Sequence, residues 1–259
     1  MTLRPRVVHL FVLGLGMLVA GCTASTPAGT AAPTPTPMPS SAPTQRSGPS
    51  MQDVMAVPPF DALEPGTYFI DPDGDDSTPL RVVYEIDAEG WSSWIGAAKF
   101  SDVGHTGLSI TTVSNLVKDG CLDHLWADPP IGPTVGDLAA ALADLSPFEV
   151  TSPPSDVTIY GYSGKHLAWT VPDLPVEGAV GDQRFTGCVG RQLMSWVGFI
   201  DTVEGDGFYG YSGPGYIEEF WVLDVEGTRL MIAAEQSRDS PAQDVAERDA
   251  ILDSIQIEP

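Results

Sequence analysis

Two runs of alternating side chains, Glu218 to Val225 and Thr228 to Glu235, are separated by the dipeptide Glu226-Gly227. This spacing predicts a tight β-hairpin, because a two-residue loop with glycine accepts the positive φ that turns two twisted strands back on each other. In the first run Phe220, Val222 and Asp224 fall on one face, and Trp221, Leu223 and Val225 on the other. Neither face is strongly polar, so a sheet built on this hairpin needs cover on both sides.

Further strands follow from the same pattern. Thr67 to Ile70 and Leu80 to Ile86 form a pair, the second alternating through Val82, Tyr84 and Ile86; the acidic stretch Asp71 to Thr78 is the turn between them, and Gly90-Trp91 ends the unit. Gly107 to Val113, Val157 to Tyr160 and Lys165 to Val171 add more. Two helices are marked by their first turns. Thr134-Val135-Gly136-Asp137 opens one, with Thr134 as N-cap, Asp137 near the first-turn amides, and Leu138, Leu142 and Leu145 as the buried stripe. Ser240-Pro241-Ala242-Gln243 opens the other, with Ser240 as cap, Pro241 at the first helical position and Gln243 closing a capping box. Val245, Ile251, Leu252 and Ile255 supply its apolar positions, before a short strand-like Ile255-Gln256-Ile257.

These elements predict an α+β domain, an antiparallel or mixed β-sheet with helices packed on it. An early strand pair ending in Gly90-Trp91, a late Phe220 to Ala234 hairpin and a capped helix running into Ser254-Ile255 together resemble the PsbP/Mog1-like sandwich of several secreted bacterial lipoproteins. The stretch from Pro172 to Gly190 departs from that pattern. The resemblance implies a non-enzymatic binding or accessory role, and it carries over no active-site residue.

Residues 1–21 have the layout of an export signal: Arg4 and Arg6 precede an apolar run from Val7 to Val19, interrupted only by His9. That run is shorter than the roughly 20 residues needed to cross a bilayer. It ends in Leu18-Val19-Ala20-Gly21-Cys22, which resembles the lipobox of bacterial lipoproteins. The resemblance implies cleavage after Gly21, a diacylglycerol on the Cys22 thiol and acylation of the new amino terminus. The membrane is then the first partner, reached through lipid, and the site of action is the extracytoplasmic face of the cell membrane. Residues 22–51 form the tether; Thr23 to Ser50 is Thr, Ala and Ser with seven prolines. Without apolar periodicity it cannot offset its ordering entropy, so an extended chain reaching roughly 30 to 90 Å is expected. Residues 52–259 remain as one domain.

All 35 acidic residues lie in that domain, against nine Lys and Arg, a formal charge of about −26. Such a surface repels phosphate backbones, which argues against nucleic acid as a partner. With Cys22 lipidated, Cys121 and Cys188 are left alone in an oxidising compartment, and a disulfide between them is expected; two buried free thiols are the alternative.

Motifs that carry chemistry are sparse, and no cofactor or metal site is read from the sequence. Asp71-Pro72-Asp73-Gly74-Asp75-Asp76 gathers carboxylates but lacks the glycine and glutamate positions of a calcium loop, and reads as a solvated turn. The leading reading is a non-catalytic module that binds a small ligand or a neighbouring envelope protein; its rivals are a secreted hydrolase built around His105, Asp123 and His124, and a purely structural envelope protein. Gly161-Tyr162-Ser163-Gly164 and Gly210-Tyr211-Ser212-Gly213 miss the spacing of a nucleophile elbow and read as turns. Of six tryptophans, Trp91 and Trp94 are the candidate ligand contacts, since they share a serine-containing, turn-like segment where an indole face can serve as a stacking platform. Core packing is the competing role for both. Phe208-Tyr209-Gly210-Tyr211 is a second aromatic loop.

Overall fold

The hairpin forms at the expected dipeptide: Glu226 and Gly227 both have positive φ, 51° and 92°, and the Gly227 amide donates to the Asp224 carboxylate at 2.9 Å. The computed structural model describes residues 51–75, 78–179, 182–198 and 208–259, all in one compact unit. In chain order the strands are β1 (Gln52–Asp53), β2 (Ala62–Leu63), β3 (Gly66–Ile70), β4 (Arg81–Ile86), β5 (Trp91–Trp94), β6 (Gly96–Ser101), β7 (Gly104–Asp119) and β8 (Asp123–Trp126). Helix α1 (Val135–Ala143) follows, then β9 (Glu149–Ile159), β10 (Tyr162–Thr170), β11 (Val176–Glu177), β12 (Arg184–Phe185), β13 (Leu193–Gly198), β14 (Phe208–Tyr211), β15 (Ile217–Val225) and β16 (Thr228–Gln236). Helix α2 (Ala242–Asp253) and β17 (Gln256–Glu258) complete the chain.

A large antiparallel sheet runs in the order β2-β5-β6-β7-β16-β15-β10-β9. Strand β7 is 16 residues long and serves two neighbourhoods. Its first half pairs with β6 and β16, and its second half with β13 and β8. A smaller sheet, β1-β3-β4-β17, covers one side. Its Tyr68, Ile70, Val82, Tyr84 and Ile86 share a single core with Ala97, Leu108, Ile110 and Ile232 of the large sheet, and the buried Tyr84 hydroxyl donates to the Gly96 carbonyl at 2.8 Å. Both faces of β15 are buried: Phe220, Val222 and Leu223 are fully enclosed and Val225 nearly so, as the mixed alternation requires.

The fold class differs from the α+β, PsbP/Mog1-like expectation. Half of the structure is strand and 14% helix, with two α-helices among the described residues, so the architecture is β-sandwich-like and not helices packed on a sheet. The additional strands lack the alternation that marks a half-buried strand. Strand β9 is an edge strand, exposed along most of its length. It carries Pro153 and Pro154 through a bulge, where the β9 register skips from Ser155 to Ser152 while β10 advances from His166 to Ala168. An edge bulge is where a sheet tolerates prolines, because no ladder donor is lost there.

Helix α1 starts as expected. The Asp137 amide donates to the Thr134 hydroxyl at 3.1 Å, and the Asp137 carboxylate accepts from the Thr134 amide and hydroxyl at 2.9 and 2.7 Å. Those bonds hold the Asp137 carboxyl below its usual range. Leu138, Leu142 and Leu145 are buried. Helix α2 differs: Pro241 is the N-cap with no side-chain cap bond, and the Ser240 hydroxyl donates instead to the His105 carbonyl at 2.8 Å. Besides Ile251 and Leu252, its buried positions include Asp244 and Arg248. Asp244 and Glu247 hold Lys99 of β6 at 3.1 and 2.6 Å, while Arg248 donates to the Glu235 carbonyl and to the Gln236 side chain.

The cysteines pair as anticipated. Cys121 and Cys188 form a disulfide with Cα atoms 4.5 Å apart. It ties the β7–β8 turn to the segment before β13, alongside backbone bonds from Val189 to Cys121 and from Met194 to Gly120. Cys22, the signal and the tether lie outside the described residues.

Candidate functional site

The hairpin of β5 and β6 separates the two tryptophans singled out in the sequence. Adjacent residues on a strand point to opposite faces, yet Trp91 and Trp94 are three apart and so also diverge. Trp91 is 1% exposed, in the core; Trp94 is half-buried at the rim. What surrounds Trp94 is set by Ser93. Its amide donates to the Asp61 carbonyl at 2.8 Å, its carbonyl accepts from the Phe60 amide at 3.0 Å, and its hydroxyl donates to the Pro58 carbonyl. The Pro58–Asp61 segment is thereby fastened along β5.

Phe60 sits in the left-handed region at φ 69°, a conformation that costs an L-residue roughly 1–2 kcal/mol. Held there, its ring stacks on Trp94 with centroids 5.1 Å apart and meets the edge of Phe100 at 5.9 Å. Phe60 is 58% exposed and Phe100 53%. Three rings therefore form a ledge open to solvent. Contiguous exposed apolar surface is a feature that contact sites share.

From the ledge a chain of aromatic and polar groups leads inward. Phe100 contacts His105 at 5.6 Å and His105 contacts Tyr216 at 4.9 Å. The Tyr216 hydroxyl lies 2.7 Å from His105 Nδ1 and 2.7 Å from the Ser212 hydroxyl, and His105 Nε2 lies 3.5 Å from Glu235 Oε1. Deeper still, Tyr211 packs against Tyr216, Phe148 and Tyr209. The Tyr211 hydroxyl donates to Glu218 Oε2, which also accepts from the Trp169 indole at 3.1 Å; Ser195 lies 3.1 Å from the same hydroxyl. Burial pushes the Glu218 carboxyl up to about 7, against the pull of the Tyr211 and Trp169 hydrogen bonds. Burial and the neighbouring Glu218 push the Tyr211 phenol well above its usual range.

His105, Asp123 and His124 do not come together. His105 lies at the start of β7, whereas Asp123 pairs with Asp119 at its far end, up to about 45 Å away at 3.3 Å per strand residue. Asp123 accepts from the Leu125 amide and His124 contacts the Gly120 carbonyl, both local bonds. In the acidic turn Asp73 accepts from the Asp75 amide and the Thr78 hydroxyl; Asp76 lies outside the described residues. Among the described residues no group of three or more His, Cys, Asp or Glu side chains is placed to hold a metal. Gly161 occupies the β9–β10 turn with φ 87°, and Tyr211 ends β14, so neither glycine-serine motif precedes a helix. A separate groove of about 250 Å³ lies between the second half of β7 and α1, lined by Leu116, Lys118, Asp128, Ile131, Ala141 and Asp144.

Phe60 and Phe100 carried no sequence signal, because only the backbone bonds to Ser93 and the β6 register bring them to Trp94. The pairing of Glu218 with Glu235 is legible in principle, since the two stand equally far from the Glu226-Gly227 turn. Comparison with family models, curated proteins and solved structures gave no match.

Proposed function

We propose that the chain is a lipid-anchored extracytoplasmic module that binds a ligand without catalysis, through the ledge of Phe60, Trp94 and Phe100. The carrying observation is the ledge itself: Phe60 keeps an unfavourable backbone conformation and more than half of its ring in water, which packing alone does not reward. Flat exposed rings suit a partner with a flat apolar face, such as that of a pyranose ring. The acidic surface disfavours anionic chains, so the ligand class is a neutral envelope polysaccharide. The anchor at Cys22 and the tether hold the domain where such chains occur. No helix among the described residues is long and apolar enough to cross a membrane, and the anchor reading does not need one.

Calorimetric titration with soluble N-acetylglucosamine oligomers and neutral glucans tests this. Binding to the intact protein, lost in Trp94→Ala and in Phe60→Ala while the thermal transition is retained, supports the reading. Equal binding by both variants, or no binding by the intact protein, contradicts it.

A further inference from the structure

We infer that the groove between the second half of β7 and α1 binds a free amino acid with an apolar side chain, held by charges at both of its ends. The space is about 250 Å³, the volume of roughly eight waters and so of one small metabolite. Its walls have a definite polarity. Leu116 and Lys118 are two apart on β7 and leave the same face; Ala141, Asp144 and Leu145 stand three and four apart at the end of α1 and share one side of the helix. All five line the groove, with Asp128 and Ile131 from the segment after β8. The floor is thus apolar, Leu116 and Leu145 being buried, while Lys118, Asp128 and Asp144 are exposed at the rim.

The charges select the ligand. Six of the nine Lys and Arg in the domain are in ion pairs, Arg229 holds backbone carbonyls and Arg81 lies over the Phe69 ring. Lys118 makes no such contact among the described residues, so its ammonium is free to take a carboxylate. Across the groove α1 ends without a basic residue in its last turn. The carbonyls there carry partial negative charge, and Asp128 and Asp144 add two carboxylates at the rim, a seat for an ammonium. A simple amine is drawn to almost any part of a domain with a formal charge of about −26, and a simple anion is repelled by most of it. What this groove offers beyond that general field is one cation and an anionic end separated by apolar side chains, the complement of a zwitterion. The groove shares no residue with the ring ledge, so either can bind without the other.

Titration of the detergent-solubilised full chain with L-leucine, followed by amide chemical shifts and calorimetry, tests this. Saturable shifts at residues 116–118, 127–131 and 141–145 are expected. Binding should be about five-fold weaker for leucinamide, which lacks the carboxylate, and for N-acetylleucine, which lacks the ammonium, since an exposed charge pair is worth about that factor. Lys118→Gln should weaken leucine about five-fold and leave leucinamide unchanged, a difference that misfolding would not produce. Ala141→Leu fills the groove while keeping helix propensity, and should abolish the shifts. The proposal is overturned by the absence of saturable shifts in the intact chain, by equal binding of leucinamide, or by leucine binding unchanged in Lys118→Gln or in Ala141→Leu. Tighter binding of glycerophosphoethanolamine, a lipid headgroup with the same two charges and no apolar side chain, also overturns it. The shift map of the unsubstituted chain needs no variant to fold, and none of these readouts depends on sugar binding.

Discussion

Replacing both Cys121 and Cys188 with alanine opens a covalent loop whose ends are 67 residues apart in sequence. Closing a loop of that length removes conformational freedom from the unfolded chain worth about 4 kcal/mol at 25 °C in the chain-entropy account. The folded state loses little else, since the backbone bonds from Val189 to Cys121 and from Met194 to Gly120 bridge the same two segments and alanine fits a site where each cysteine is already buried. The loop contains β8, α1, β9, β10, β11 and β12, so the bond restrains three of the eleven strands of the large sheet before it forms. Equilibrium urea unfolding followed by tryptophan fluorescence measures the loss. With a slope of about 2 kcal/mol per molar urea, the midpoint should fall by roughly 2 M, and the slope should rise because the uncrosslinked unfolded chain exposes more surface. A loss below about 1 kcal/mol with an unchanged slope would refute the reasoning, because the unfolded chain would then gain nothing from release of the loop.

Three other outcomes follow from the same structure. In Glu218→Gln, pH should decide the sign. A carboxyl raised from 4.5 to about 7 on folding gives the folded state the extra proton, so stability is full below about pH 4.5 and is lost as pH rises through 7; glutamine escapes that loss. Unfolding free energies should therefore be similar at pH 4.5 and favour the variant by about 3 kcal/mol at pH 8.5, and a difference independent of pH would count against the buried ionisation. In Gly164→Ala the added methyl runs into the Val222 carbonyl and reaches the Leu223 Cα at 2.9 Å, both backbone atoms of β15; thermal melts should show a loss of about 3 kcal/mol or more, and a near-neutral result would show that β10 and β15 sit farther apart. Phe100→Ala removes a ring that is already 53% exposed, so stability should change by less than about 1 kcal/mol while binding of neutral oligosaccharides falls; unchanged binding would restrict the contact to Phe60 and Trp94.

Local chemistry made parts of this molecule legible. The Glu226-Gly227 turn, the Thr134–Asp137 cap and the period-2 runs of β3, β4, β15 and β16 each depend on residues adjacent in sequence, and each formed where the pattern placed it. The cysteine pair was readable by elimination. The sheet as a whole was not, because its extra strands are defined by distant partners: β13 lies on the second half of β7, and β9 is an exposed edge whose serines and prolines have no buried face to announce. Without those strands the two helices dominate the pattern, and the sequence reads as α+β although the fold is β-sandwich-like. Ser240 illustrates the same limit at a single residue. Its position satisfies a capping box in sequence, yet the tertiary fold offers its hydroxyl the His105 carbonyl, and that bond is the one formed. Of the candidate site, Trp94 was visible as an indole in a serine-containing turn, whereas Phe60 and Phe100 join it only through strand register and the bonds to Ser93.

The measurement closest to the centre of the account is the intact mass of the protein extracted from the membranes of its own cells, taken with its partition between detergent and water. The account predicts a chain that begins at Cys22, carries a diacylglycerol, retains one disulfide and follows the detergent. A chain that starts at another residue, bears no acyl group and stays in water would remove the anchor, and with it the argument that the ledge works on ligands beside the membrane.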